Sequence, residues 1–151
     1  MLTLSILPDL LAICRLSPAE DVPEWAMIGE FVSITHTNEE LSIVCAAEHV
    51  PSEVRADREW RALKVEGPLD LALTGVLASL ANPLAEAQIN LFAASTYDTD
   101  YLLVKVYNLT RACEVLRQAG FAVNEMPHPP TPSPDSKQTE SGEGEWLAPL
   151  S

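Results

Sequence analysis

The sequence predicts an α+β protein: two tandem β-α-β-β-α-β modules with antiparallel sheets, followed by a disordered tail. Three observations lead there. The stretch from Trp60 to Val106 reads as strand, glycine-bearing turn, apolar helix and acidic hairpin within fewer than fifty residues. A second hairpin pattern precedes it at an offset of sixty residues, Thr35–Val44 against Ser95–Val104. From Met126 onward the chain holds half of its twelve prolines among Ser, Thr, Gly and acids, too little apolar surface to offset the entropy of ordering. The expected boundaries are therefore an N-terminal trimmed module at residues 1–56, a full module at 57–125 and the tail at 126–151.

In the second module Trp60 to Val65 forms a strand and Gly67-Pro68 a turn. Leu69, Leu73, Val76, Leu77, Leu80 and Leu84 recur at helical spacing, giving one broad apolar face to lay on a sheet. Asp70 is placed in the first helical turn, where its charge suits the positive end of the helix dipole. Pro83 should kink that helix, or end it near Ala81, because proline removes a donor and clashes with the preceding turn. The β-rich run Ile89 to Ala94, the polar turn and Tyr101 to Val104 make a hairpin. Asn108 is the expected N-cap of a second helix bearing Leu109, Ala112, Cys113 and Leu116, and Gly120 its stop. Phe121 to Val123 begins a last strand. The first module repeats this less fully: strands at Leu2–Ile6 and Leu10–Leu16, a short helix around Pro23–Ile28, a hairpin from Phe31, and room for a further helix within Val50–Arg58.

Charge and composition exclude several classes of function. Nine basic against twenty-two acidic residues leave a net charge of −13, which repels phosphate backbones and anionic membrane surfaces. No apolar run reaches the ~18 residues that span a bilayer, so no nucleic acid and no membrane are expected, and the expected location is cytoplasmic. Cys14, Cys45 and Cys113 are odd in number and embedded among apolar residues, which reads as buried thiols. His36, His49 and His128 show no metal-ligand spacing. No nucleophile–base pair or phosphate-cradling loop can be assembled, so no catalytic residue, metal or cofactor is assigned.

The binding chemistry concentrates in two segments. Ser95-Thr96-Tyr97-Asp98-Thr99-Asp100 puts hydroxyls and carboxylates at a hairpin tip, while Thr74, Gly75, Val76 and Leu77 form the helix edge expected to face it, with Gly75 permitting close backbone approach. An ammonium beside a carboxylate gains a charge-assisted hydrogen bond, and a carboxylate can accept from free N–H groups at a helix start. That pairing suits a small zwitterion. The bland reading of the tip is a solvated turn, since Asp and Thr commonly bond their own backbone there.

Thr74-Gly75-Val76-Leu77, Pro83-Leu84-Ala85 and Ser95-Thr96-Tyr97-x-x-Asp100 resemble the ACT domain, in the subgroup related to cytosolic arginine sensors. The resemblance is strong from Trp60 to Gly120 and weak from Phe31 to Cys45. It implies ferredoxin-like modules whose sheets join side by side, with an amino acid bound at the ACT–ACT interface. Carried over by position, it implies that Thr96 and Asp100 meet the ligand's amino group, with Ser95 and Tyr97 beside them and Thr74 to Leu77 opposite. Leu73 stands where the arginine-sensing pattern has an acidic residue, which disfavours arginine. The expectation is a noncatalytic regulatory protein, not an enzyme, that binds a free amino acid and forms a homodimer; the alternative is a protein-interaction or dimerisation module with no small-molecule ligand.

Overall fold

The computed structural model describes residues 2–70 and 74–125. Leu73 and the tail expected from Met126 lie outside the described residues. The elements follow in the order β1 (Thr3–Ile6), β2 (Leu11–Leu16), β3 (Ser33–His36), β4 (Leu41–Ala46), β5 (Ala56–Val65), α1 (Val76–Glu86), β6 (Phe92–Ser95), β7 (Asp100–Lys105), α2 (Leu109–Gln118) and β8 (Ala122–Glu125). They group into two units, one made of the chain up to Leu7 together with the chain from Trp60, the other of Pro8–Glu59.

The first unit contains the expected module in the order β5-α1-β6-β7-α2-β8. Its strands pair as β6-β7-β5-β1-β8, antiparallel except for the parallel β1–β8 pair. This corrects two expectations: β1 does not belong with the N-terminal module, and the sheet is not wholly antiparallel. The reason is packing. β1 alternates at period two, and Leu4 and Ile6 enter the core of Leu63, Val65, Leu102, Val104 and Val123, closed by Leu80 and Leu84 of α1 and Ala112 and Leu116 of α2. Leu4, Leu63, Leu80, Leu84 and Leu116 are each fully buried. On the opposite face, the edge of Trp60 meets Phe92 at 6.5 Å and Lys105 Nζ lies 5.0 Å from the Trp60 ring.

The helix α1 begins later and ends later than its apolar repeat suggests. Leu69 packs on the core from outside the helix, and Asp70 lies ahead of it rather than in its first turn. Gly75 occupies the N-cap position at φ 79°, a left-handed conformation that glycine adopts without cost. Pro83 sits inside the helix, which continues through it: the Ala87 N–H donates to the Pro83 carbonyl at 3.1 Å. Burial of Leu80 and Leu84 on either side of the missing donor holds the helix together where propensity alone would end it. At α2, Asn108 takes the N-cap position without a side-chain cap bond. Gly120 at φ 103° closes that helix, with Phe121 N–H donating to the Leu116 carbonyl at 3.0 Å.

The second unit carries the other hairpin. Its strands pair β3-β4-β2, all antiparallel, over a core of Ala12, Cys14, Leu16, Ala26, Leu41, Ile43, Cys45 and Val50. The short helix expected at Pro23–Ile28 is a 3-10 turn at Glu24–Met27. No helix forms within Val50–Arg58: a turn closed by Val54 N–H to the Pro51 carbonyl at 3.1 Å leads directly into β5. Val54 and Ala56 pack on the core as part of that extended path, which a helix would interrupt.

Superposing the two hairpins by their ladders corrects the repeat by one residue. β3 and β6 are offset by 59 residues (Ser33 to Phe92), as are β4 and β7 (Leu41 to Asp100). The same bond closes both turns, Thr37 N–H to the Glu40 carbonyl at 2.9 Å and Thr96 N–H to the Thr99 carbonyl at 2.8 Å. Thr37 therefore corresponds to Thr96, His36 to Ser95 and Leu41 to Asp100.

Candidate functional site

The hairpin tip is built by its own threonines. Thr96 Oγ1 donates to the Thr99 carbonyl at 3.1 Å and accepts from the Thr99 N–H at 3.3 Å, the short-range bonding that makes threonine a turn residue. At the mouth of the turn Ser95 and Asp100 face each other across the ladder, and Ser95 Oγ donates to Asp100 Oδ1 at 2.7 Å. Thr99 is 4% exposed, and its hydroxyl donates to the Val65 carbonyl at 2.5 Å. The segment ahead of α1 lies against this tip: Leu69 N–H donates to the Asp98 carbonyl at 2.7 Å. Gly67 makes that approach possible, since a Cβ there would stand 2.9 Å from the Leu69 nitrogen and 3.3 Å from the Asp98 oxygen.

Between these walls is a cleft of about 100 Å³, lined by Leu69, Asp70 and Val76 on one side and Thr96 to Asp100 on the other. It is smaller than the roughly 300 Å³ at which sites for drug-sized ligands begin. Tyr97, 80% exposed, stands at its rim. Asp70, Asp98 and Asp100 contribute three carboxylates to the lining, and no basic side chain joins them. Such a lining attracts an ammonium and repels phosphate. At the start of α1, beside Val76, no side chain caps the first-turn N–H groups, and the helix dipole places positive potential there. One short cleft thus offers an acceptor for a cation and donors for an anion.

Of the residues singled out in the sequence, Val76, Thr96, Tyr97 and Asp100 line the cleft together. Thr74, Gly75, Leu77 and Ser95 are not among its lining residues; Thr74 and Gly75 are exposed, and Ser95 acts through Asp100. Gly75 serves by its backbone conformation and not by close approach, because a Cβ there would meet nothing within 4 Å. Sequence reasoning missed Leu69 and Asp70 as lining residues, and it placed Asp98 and Thr99 at the hairpin tip without assigning them to the ligand. The signal for the first two was the Gly67-Pro68 turn, which sets an extended segment, not helix, ahead of Gly75. The other hairpin differs: His36 Nε2 lies 3.0 Å from the Pro18 carbonyl, and buried Leu41 takes the place of Asp100. Among the described residues no group of three or more His, Cys, Asp or Glu could hold a metal ion.

The ACT domain family model matches residues 55–118, the stretch that carries both walls of this hairpin–helix cleft. Over those 64 of 151 residues the chain is similar to the ACT domain family. A second family model, described as an N-terminal domain, matches residues 9–53. Bos taurus "Cytosolic arginine sensor for mTORC1 subunit 1" is 29% identical over 109 residues, which is 60% of this chain and 33% of the sensor; the chain therefore spans about a third of that relative's length. A crystal structure of an Agrobacterium tumefaciens protein is 40% identical with a TM-score of 0.80, covering 84% of this chain and 95% of the other. The regulatory subunit of aspartate kinase from Thermus thermophilus shares the fold, with a TM-score of 0.53 at 12% identity over 76% of this chain and 97% of that one.

Proposed function

We propose that this chain is a noncatalytic regulatory protein that binds a free amino acid. The observation that carries the proposal is the cleft that joins the start of α1 to the tip of the β6–β7 hairpin. The ligand's ammonium sits against Asp100, with Thr96 beside it, and its carboxylate accepts from the helix start at Val76, where no side chain caps the first turn. A carboxylate has about four lone-pair sites, and Ser95 occupies one on Asp100, so acceptor capacity remains for the ligand. Homology to an arginine sensor supports the class of ligand. No lining residue is a His, Cys or Lys, and the Thr96 and Thr99 hydroxyls are engaged with backbone carbonyls, which supports a binding role over a catalytic one.

The cleft opens to solvent beside Tyr97 and is completed, in this proposal, by an ACT module of a second copy, so that the ligand lies at an ACT–ACT interface of a homodimer. Binding then regulates by favouring one assembled state, which requires unequal affinity for the two states. Among the described residues no helix is long and apolar enough to cross a membrane, and the proposed location is the cytoplasm. The test is a titration of the twenty amino acids against thermal unfolding, because a ligand held only by the folded state raises the midpoint. If none does so at millimolar concentration, the remaining reading is a dimerisation module without a ligand.

A further inference from the structure

Two bonds and one missing side chain join the two walls of the cleft into a single clamp. The Thr99 hydroxyl donates to the Val65 carbonyl, the last residue of β5. Four residues on, Leu69 N–H returns the contact by donating to the Asp98 carbonyl at 2.7 Å. Between them Gly67 passes the tip so closely that an added Cβ would also meet Thr99 Cβ at 3.5 Å. Thr96 completes the set by fixing Thr99 from within the turn. The segment between Val65 and Leu69 is therefore tied to the hairpin at both ends, and Asp70, on one wall, is held at a set distance from Asp98 and Asp100 on the other. We infer that Thr99 and Gly67 are positioning residues for ligand binding: they fix the separation of the cleft walls without supplying the groups that grip the ammonium and carboxylate.

The hydroxyl is the part of the Thr99 side chain that bonds to the other wall, so valine, of equal shape, removes the bond and leaves the buried Val65 carbonyl without that donor. Serine keeps it. Alanine at Gly67 acts from the other side, forcing the Leu69 amide and the Asp98 carbonyl apart. The inference rests on the amino-acid reading for its ligand arm only, because amide exchange at Leu69 reports the clamp with no ligand present.

The experiment uses the full chain with Thr99→Val, Thr99→Ser and Gly67→Ala, measuring Leu69 amide exchange and the midpoint shift produced by whichever of the twenty amino acids stabilises the unaltered protein. Thr99→Val is expected to speed Leu69 exchange about tenfold relative to amides in β7, the cost of one unmade bond, and to reduce the ligand-induced shift relative to its own ligand-free midpoint. Thr99→Ser should restore both. Gly67→Ala should reproduce the valine result, which covers the case in which Thr99→Val fails to fold. A lower ligand-free midpoint with unchanged exchange and unchanged ligand shift would mean that Thr99 is structural only, and would overturn the inference. If no amino acid shifts the unaltered protein, the functional proposal fails, and the clamp stands or falls on Leu69 exchange alone.

Discussion

Asp100→Asn isolates the interaction on which the proposed function depends. Asparagine keeps the size and can still accept from Ser95 Oγ, which sits 2.7 Å from Asp100 Oδ1. Because Asp100 is only partly buried, stability of the ligand-free protein should change by less than about 0.5 kcal/mol. Binding should change far more. A hydrogen bond to a charged group contributes about 1.5–3 kcal/mol, so Kd should rise roughly 10- to 150-fold. A ligand at 100 times Kd stabilises the unaltered protein by about 2.7 kcal/mol, and a 30-fold weaker Kd leaves about 0.9 kcal/mol at the same concentration. At about 4 °C per kcal/mol, a midpoint shift near 10 °C falls to about 4 °C. Differential scanning fluorimetry with the amino acid that stabilises the unaltered chain, followed by calorimetric titration, measures both quantities. A variant that binds within twofold of the unaltered protein would refute the placement of the ammonium at Asp100.

A fragment of residues 57–125 lacks β1, whose Leu4 and Ile6 are 0% and 6% exposed; losing two such buried side chains removes about 3–6 kcal/mol of burial, so the fragment should show no cooperative urea transition, and one matching the full chain would overturn the assignment of β1 to this unit. Gly75→Ala must place a Cβ at φ 79° with open space around it, so it should cost about 1–2 kcal/mol from backbone strain alone; Gly75→Asn should cost less, and equal effects in chemical denaturation would reject strain as the cause. Cys14 and Cys45 interact as a pair: a hydrogen bond from Cys45 holds the Cys14 thiol below its ordinary pKa, while that bond and burial push Cys45 up. Iodoacetamide should therefore modify Cys14 before Cys45, read by peptide mass spectrometry, and Cys45→Ala should slow modification of Cys14. The stability held by the raised Cys45 is present below the ordinary thiol pKa and lost as pH rises above it, so the same substitution should flatten the alkaline fall in midpoint.

Local pattern made most of the second module legible. Trp60 to Val65 alternates sides, the β6–β7 hairpin is bounded by turn chemistry at Thr96 and Thr99, and the stripe that includes Leu80 and Leu84 marks the buried face of α1. These depend on residues a few positions apart, where side-chain periodicity and turn preferences act directly. The helix boundaries were less legible because an apolar stripe does not distinguish a helical turn from an extended segment that packs on the same core. Leu69 matches the stripe yet lies outside the helix, and Asp70, placed by pattern at the dipole, stands on a cleft wall instead.

The sequence by itself determined the α+β class and the hairpin chemistry at Ser95 to Asp100, since each follows from local spacing and composition. Tertiary structure alone decided that β1 enters the sheet between β5 and β8, because the partners of Leu4 and Ile6 lie some sixty and more residues away and many apolar strands fit the same pattern. It also decided that the hairpins align at 59 residues and not sixty. Strand residues alternate faces with a period of two, so a one-residue slip exchanges inside for outside; that single step sets buried Leu41, and not a carboxylate, opposite the position of Asp100.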